Sequence, residues 1–279
     1  MCVSVCTRTT STLDFVEAFV VAAERFAIGV AGVDLRSPVP ACPTWSAYDL
    51  VVHLGNIHSW AATIVETGAR AVEQNDAPRS RRPAVVSEWY AGKAEDLYEV
   101  LRTADPEAPC WNFATGAGFA DFWPRRQTHE TTIHLVDLLG CTDGTATIDP
   151  ELAADGVDEV LTVFLPRMHQ RRHRANLTGP LCLVATDVRR SWTLSPRAVV
   201  TDPRAGVPVQ PRGSETESAP AVVDGPPRVV NRRLPGADQI AAPAETLYRV
   251  LWGRGSRDEV ALSGDEARIH AFLDSRLVP

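Results

Sequence analysis

Apolar residues recur at steps of three and four through most of the first 175 positions, the spacing that places them on one face of a helix. Ser11 and Asp14 are spaced as a capping box before the first such stretch, and Ser87 stands where it would cap the third. Because four or five amphipathic helices in succession bury their apolar faces against one another, the pattern predicts a helical bundle. The predicted helices span 11–30, 47–68, 88–105, 124–140 and 150–164.

The second helix has the clearest start. Ser46 is a good helix cap, and Asp49, three residues later, can return the hydrogen bond to the capping residue. Trp45 and Leu50 occupy the two positions of a hydrophobic staple around that cap. His53 then falls on the apolar stripe of the helix, so we expect it to face the bundle interior.

After about residue 175 the pattern changes to short runs of β-forming residues, which predict strands. A proline-rich stretch at 201–237 predicts a long irregular loop. The fold class is therefore α+β, with a helical domain at 1–172 and a small α/β domain at 173–279. Within the second domain the predicted strands are 181–185, 191–194, 198–200, an edge strand at 228–230 and 259–262, and the predicted helices are 244–252 and 265–277.

The composition, with 44% hydrophobic and 23% charged residues, is that of an ordinary globular protein. No apolar run approaches the roughly 18–20 residues that cross a bilayer, and the first six residues lack the basic start and apolar length of a secretory signal. We therefore predict a cytoplasmic protein, monomeric or homodimeric, without a membrane span. The net charge of −7 argues against nucleic acid as a principal partner, because phosphate binding needs a broad basic surface.

The cysteines do not indicate a zinc-thiolate site or a disulfide framework. No two of them form a C-x-x-C pair, and they are scattered along the chain. We expect most of them to be buried, reduced thiols. They are Cys2, Cys6, Cys42, Cys110, Cys141 and Cys182.

The segment 123–137 carries most of the candidate chemistry. Glu130 and His134 are four residues apart, and Ile133 lies on the same helix face, so both polar side chains should point to the core. A buried carboxylate and imidazole need a partner, since burying them alone costs several kcal/mol. His53 can supply a third donor. Two imidazoles and one carboxylate bind a divalent metal and leave a fourth position open for catalysis.

A simpler interpretation of Glu130 and His134 is an exposed helix pair, which stabilises a helix by only a few tenths of a kcal/mol. Glutamate and histidine at this spacing are common in helices that bind no metal. The placement of both residues and of His53 on apolar faces favours the metal site.

The surroundings of these residues resemble a known family. Trp45, Asp49 and His53, followed by the R-x-x-x-E-x-x-x-H-x-x-D pattern from Arg126 to Asp137, resemble the mycothiol-dependent maleylpyruvate isomerase family, within the broader DinB-like metal-binding bundles. The segments 244–254 and 260–265 look like that family's second domain, which has a sterol-carrier-like α/β fold. The resemblance implies a zinc ion held by His53, Glu130 and His134, and mycothiol, a low-molecular-weight thiol, as co-substrate.

The same resemblance implies a catalytic arginine in the second domain, which falls on Arg254 in the Trp252-Gly253-Arg254 stretch. An arginine at a helix end can instead satisfy the terminal carbonyls of that helix. The proline-rich stretch at 201–237 is longer than the family leads us to expect. This difference affects what the resemblance implies about the substrate more than what it implies about the metal.

Other polar residues near the candidate ligands are expected to have supporting or surface positions. His129 points about 100° away from Glu130, and His58 faces away from His53, so both are expected at the surface or behind the ligands. Asp137 either accepts a hydrogen bond from the distal nitrogen of a ligand histidine or is an exposed acid. A basic cluster either attracts an anionic substrate or is a solvated interdomain segment. The cluster comprises Arg167, His169, Arg171, Arg172, His173 and Arg174.

These residues predict a metal-dependent enzyme acting on a small electrophile. A thiol ionised beside the metal can add to an electron-poor double bond and leave again, giving cis–trans isomerisation, or remain attached, giving thiol transfer. The same site also suits a thiol-independent metal hydrolase or lyase. A third interpretation is a non-catalytic binding module stabilised by its metal. The three-ligand set disfavours this last interpretation, because structural zinc sites usually have four protein ligands.

Overall fold

The computed structural model describes residues 13–142, 144–196, 225–230, 232 and 234–279. It divides into two compact units, Met1–Ala153 and Ala154–Pro279. The division falls earlier than the boundary at 172/173 that the sequence predicts, because most of the fifth helix packs within the second unit. Gly156 lies against the ring of Tyr248, and Trp192 donates its indole N–H to Asp158 at 3.2 Å.

The first unit is a four-helix bundle, as the apolar spacing predicts. Two short antiparallel hairpins, which the sequence pattern does not show, precede the second and fourth helices. Their strands have only two to five residues, too few for a two-residue repeat to be seen. The elements are α1 (Phe15–Gly32), β1 (Pro38–Val39), β2 (Cys42–Ser46), α2 (Ala47–Thr67), α3 (Pro83–Thr103), β3 (Pro109–Cys110), β4 (Gly118–Phe119) and α4 (Phe122–Gly140).

The capping box predicted for α2 is confirmed. The Asp49 N–H donates to the Ser46 hydroxyl oxygen at 3.3 Å, and the Asp49 carboxylate accepts from the Ser46 N–H at 2.9 Å. The helix ends at Gly68, whose φ of +66° lies in the left-handed region that favours glycine. The start of α2 is thus fixed locally, and it places His53 in the second turn.

The starts of α1 and α3 differ from the prediction. Asp14 caps α1 by accepting hydrogen bonds from the N–H groups of Val16 and Glu17, whereas Ser11 lies outside the described residues. The predicted cap at Ser87 is wrong, because α3 already begins at Pro83, a residue suited to a first turn. The Ser87 hydroxyl instead donates to the carbonyl of Ala27 on α1 at 2.7 Å and links α3 to that helix.

Helix α4 is the most deeply buried element of the bundle. Its buried residues lie on every side of the helix and include charged and polar side chains. A buried helix with so many polar residues must satisfy them internally, because unpaired buried polar groups are costly. This arrangement places Glu130 and His134 inside the protein.

Over its described residues, the second unit has a five-stranded sheet in the order β7-β6-β5-β8-β9, in which the neighbours β5 and β8 run parallel and the other neighbouring pairs run antiparallel. The fifth helix continues through a π-helical turn at Val160–Phe164. The α+β fold class is therefore confirmed. The elements are α5 (Pro150–Glu159), α6 (Leu165–Gln170), β5 (Leu181–Ala185), β6 (Arg190–Ser195), β7 (Arg228–Val230), β8 (Asp238–Ala242), α7 (Ala244–Leu251), β9 (Ala261–Ser263) and α8 (Glu266–Leu273).

The predicted edge strand at 228–230 is confirmed as β7, and the predicted strand at 198–200 lies outside the described residues. The prediction missed β8, which begins with a buried aspartate. Asp238 is 4% exposed and pairs with Arg268 of α8 at 2.9 Å, so a charged residue starts an interior strand without remaining unpaired. Within the described ranges, no helix combines the length and apolar character needed to cross a membrane.

Candidate metal centre

Helices α2 and α4 bring together the three residues that the sequence selects. One ligand atom from each of His53, Glu130 and His134 lies within 4.8 Å of the other two. Glu130 Oε1 is 3.6 Å from His53 Nε2 and 3.3 Å from His134 Nε2. A single carboxylate oxygen therefore faces both imidazoles.

The second oxygen of Glu130 has a different partner. Arg126, one helical turn earlier, donates from Nη2 to Glu130 Oε2 at 2.7 Å. The Arg126 side chain is only 2% exposed, so this ion pair is shielded from water. Arg126 is the first residue of the R-x-x-x-E-x-x-x-H-x-x-D motif, and its four-residue spacing from Glu130 is the sequence signal for this pair, which the motif alone does not predict.

Asp137 orients His134. Its Oδ2 lies 2.9 Å from His134 Nδ1, and the Asp137 side chain is fully buried. A carboxylate only accepts, so Nδ1 carries the proton and donates it, while Nε2 points to Glu130. Carboxylates behind metal-binding histidines commonly fix the ring in this way. The structure thus favours the first of the two roles considered for Asp137.

His53 is the most exposed of the three candidate ligands, with 32% of its side chain accessible. Its ring lies 4.8 Å from the indole of Trp45 and 5.3 Å from the ring of His134, measured between centroids. Trp45 is the last residue before the Ser46 cap, so the start of α2 also restrains this histidine. The side of the site next to His53 is consequently the more open one.

Burial and charge act against each other on Glu130 and His134. Burial raises the pKa of Glu130, but the Arg126 charge and hydrogen bonds from both histidines outweigh it, and the pKa stays well below its usual range. Burial lowers the pKa of His134, yet hydrogen bonds to Asp137 and Glu130 prevail and raise it to about 9. A cation that binds His134 Nε2 must therefore compete with a proton.

The three side chains fit a divalent cation. Tetrahedral bonds of about 2.0–2.2 Å, as zinc makes to nitrogen and oxygen, separate neighbouring donor atoms by roughly 3.3–3.6 Å. The distances from Glu130 Oε1 to the two histidine nitrogens, 3.3 and 3.6 Å, match that range. Two imidazole nitrogens and one carboxylate oxygen also leave a position open for an exogenous ligand.

His129 and His58 are both buried, so the alternative of a surface position is wrong for each. The ring of His129 is fully buried and packs edge-on against Phe15 at 6.0 Å between centroids. His58 Nδ1 lies 2.9 Å from Gln127 Oε1, and its Nε2 lies 3.2 Å from the hydroxyl of Tyr90. His58 thus links α2, α3 and α4 behind the candidate ligands.

Arg254 lies in the second unit, just after α7. Its Nη1 donates to the carbonyl of Trp252 at 2.6 Å, and its guanidinium carbon is 5.8 Å from the centre of the Trp252 ring. The contact with a helix-end carbonyl corresponds to the structural alternative for this residue. In the basic cluster, the segment from Arg171 to Arg174 is exposed, as expected of a solvated stretch.

The chain thus combines a helical bundle that carries a histidine–glutamate–histidine cluster with a second unit built on a five-stranded sheet. Two family models together match most of this chain. The mycothiol maleylpyruvate isomerase N-terminal domain matches residues 16–139, and the C-terminal domain of the same family matches residues 151–271. The chain belongs to the mycothiol-dependent maleylpyruvate isomerase family.

Solved structures show the same fold. The crystal structure of a mycothiol-dependent maleylpyruvate isomerase is 12% identical, with a TM-score of 0.58 over 89% of this chain and 91% of that chain. A histidine-to-alanine mutant of such an isomerase gives a TM-score of 0.57, with the same identity and coverage. A search of curated proteins gave no significant match.

Proposed function

We propose that this chain is a metal-dependent enzyme that uses mycothiol to isomerise an electrophilic cis-alkene acid of the maleylpyruvate type. The observation that carries the proposal is the placement of Glu130 Oε1 opposite both His53 Nε2 and His134 Nε2. Membership of the family, and the mycothiol dependence of the isomerase that shares this fold, support mycothiol as the thiol. We expect the reaction in the cytoplasm, where low-molecular-weight thiols stay reduced.

His53, Glu130 and His134 would hold the metal, which we take to be zinc. A divalent cation there supplies positive charge that keeps a bound thiol ionised at neutral pH. Asp137 holds the His134 ring with Nε2 turned toward Glu130, and Arg126 fixes the outer oxygen of Glu130. These buried partners keep the three donor groups in position before any ligand arrives.

The thiolate would add to one alkene carbon of the substrate and move the π electrons toward the conjugated carbonyl. Rotation about the resulting single bond, followed by loss of the thiolate, gives the trans isomer and regenerates the thiolate. If the thiolate stays attached and a proton is taken up, the product is a thioether, and the enzyme is a thiol transferase. We assign Arg254 to a carboxylate of the substrate or of the thiol, because guanidinium binds carboxylate with two parallel hydrogen bonds.

A cobalt titration tests the proposal. The protein with Co²⁺ in place of zinc should take up one equivalent of metal, and adding mycothiol should produce the intense near-ultraviolet absorption of a cobalt–thiolate bond. A matched titration with the corresponding alcohol or with the oxidised disulfide of mycothiol serves as the control.

Each outcome separates the proposal from its alternatives. One equivalent of cobalt without a spectral response to mycothiol would favour a thiol-independent hydrolase or lyase. Failure to bind cobalt or zinc would remove the metal site altogether. Metal that stabilises folding but leaves no position for any added ligand would favour a non-catalytic binding module.

Arg254→Lys should lower kcat/KM by about 10–100-fold on a confirmed substrate, because lysine keeps the charge but loses the two-pronged geometry. Metal content and the melting temperature should stay at wild-type values. Arg276→Lys, at an exposed arginine of the same unit, is the matched control and should retain full activity. Wild-type turnover in both Arg254→Lys and Arg254→Ala would show that Arg254 has a structural role, such as its contact with the Trp252 carbonyl, and no part in the reaction.

A further inference from the structure

The two oxygens of the Glu130 carboxylate are in different environments. Oε1 faces the Nε2 atoms of His53 and His134, whereas Oε2 accepts a hydrogen bond from Arg126 Nη2 at 2.7 Å. Arg126 is almost completely buried and Glu130 is 18% exposed. One carboxylate oxygen thus faces the candidate metal position, and the other is bonded to Arg126.

This division limits how Glu130 can bind a metal. To bind one cation with both oxygens, the carboxylate would have to turn Oε2 toward the histidines, and any lengthening of its 2.7 Å bond with Arg126 separates a buried ion pair, which is strongly unfavourable. Such a separation would also deprive a guanidinium that is only 2% exposed of this carboxylate. Glu130 therefore has one oxygen to offer, and the coordination number contributed by the protein stays at three.

The fixed charges around the site give Arg126 a second effect. Glu130 and Asp137 contribute two negative charges and Arg126 one positive charge, while His53 and His134 are neutral when they ligate a metal. A divalent cation added to this set leaves a single positive charge. One thiolate then neutralises this set of groups, whereas without Arg126 the same thiolate would leave the set with a net negative charge.

We propose that Arg126 is a positioning residue that holds Glu130 to one-oxygen ligation and supplies the charge that favours an anionic fourth ligand. The proposal rests on the metal site of the proposed function. According to this proposal, the open metal position binds a thiolate in preference to a neutral ligand because of the charge of Arg126.

Arg126→Met tests the proposal, since methionine has a similar length and suits a buried position but carries neither charge nor hydrogen-bond donor. The Co²⁺-loaded variant should show weaker visible absorption than wild type, because cobalt absorbs less strongly as its coordination number rises and Glu130 is now able to bind through both oxygens. Mycothiol should bind to the cobalt-loaded variant at least about 10-fold more weakly than to cobalt-loaded wild type. Arg126→Lys retains the charge and should restore most of the thiol affinity.

Arg102→Gln is the matched control, because Arg102 forms an exposed pair with Glu99 three residues earlier on α3. This variant should match wild type in the cobalt spectrum and in mycothiol affinity. If Arg126→Met also matches wild type in both measurements, the proposal is overturned. Wild-type protein that takes up no cobalt would instead contradict the proposed function.

A measurement on wild-type protein does not depend on the folding of the variant. In a crystal structure of the zinc-loaded enzyme, Glu130 should bind zinc through Oε1 while Oε2 remains hydrogen-bonded to Arg126. Zinc bound by both oxygens of Glu130, with Arg126 displaced, would overturn the proposal. Either result is independent of whether mycothiol is the physiological thiol.

Discussion

Alanine at any one of positions 53, 130 and 134 should reduce metal binding to well below one equivalent and abolish turnover. Structural zinc peptides bind their metal with about 10–16 kcal/mol. If three ligands share such a value, each contributes roughly 3–5 kcal/mol, which corresponds to about 10²–10⁴-fold in Kd. Among the described residues, the cluster of candidate ligands comprises these three side chains, and the second oxygen of Glu130 is held by Arg126.

Elemental analysis of the purified variants, followed by competition with a chromophoric chelator, measures the loss. His270→Ala is the control, since His270 is exposed and lies on α8 in the other unit. Circular dichroism must show that each variant keeps its helical content, especially Glu130→Ala, which removes a carboxylate partner of the buried Arg126. Near-full occupancy in all three variants would contradict the assignment of these residues as ligands.

The parts of the site that could be predicted are those fixed by short-range geometry. The Ser46–Asp49 box determines where α2 begins, and it is visible in the sequence because both partners lie three residues apart. Glu130 and His134 share a helix face through their four-residue spacing. Their proximity to His53 could be predicted only by assuming that α2 and α4 both turn these faces toward the bundle interior. The structure does bring the three side chains together.

The predictions that failed concern residues whose burial depends on the packing of the whole bundle. The surface alternative for His129 rested on α4 having one polar side facing water, but α4 is buried nearly all round, so a position about 100° from Glu130 is also interior. The predicted start of α3 at Ser87 failed for a related reason, because this serine finds its partner in the carbonyl of Ala27 on another helix. Contacts of this kind join residues that no local pattern connects.

The contacts of His58 with other helices also could not be predicted from local sequence. It lies on α2, but its ring nitrogens contact Gln127 of α4 and Tyr90 of α3, and the ring of Phe19 on α1 packs edge-on against it at 5.3 Å. Since the Gln127 oxygen only accepts, Nδ1 carries the proton, and Nε2 accepts from the Tyr90 hydroxyl. A neutral imidazole thus satisfies both partners without a charge.

Acidification should therefore destabilise the protein through His58. Burial lowers the pKa of His58 from 6.5 to about 4, and the opposing effects of Gln127 and Glu130 do not compensate. The unfolded chain takes up this proton near pH 6.5 and the folded chain only near pH 4, so the stabilisation is complete above pH 6.5 and is lost as the pH falls to 4. The loss amounts to about 3 kcal/mol, at about 1.36 kcal/mol per pH unit. The test is urea unfolding of the metal-free wild type and of His58→Gln between about pH 7 and 4. As the pH falls, the free energy of unfolding should decline less steeply for the variant than for the wild type. Parallel declines would mean that His58 is not the buried neutral group described.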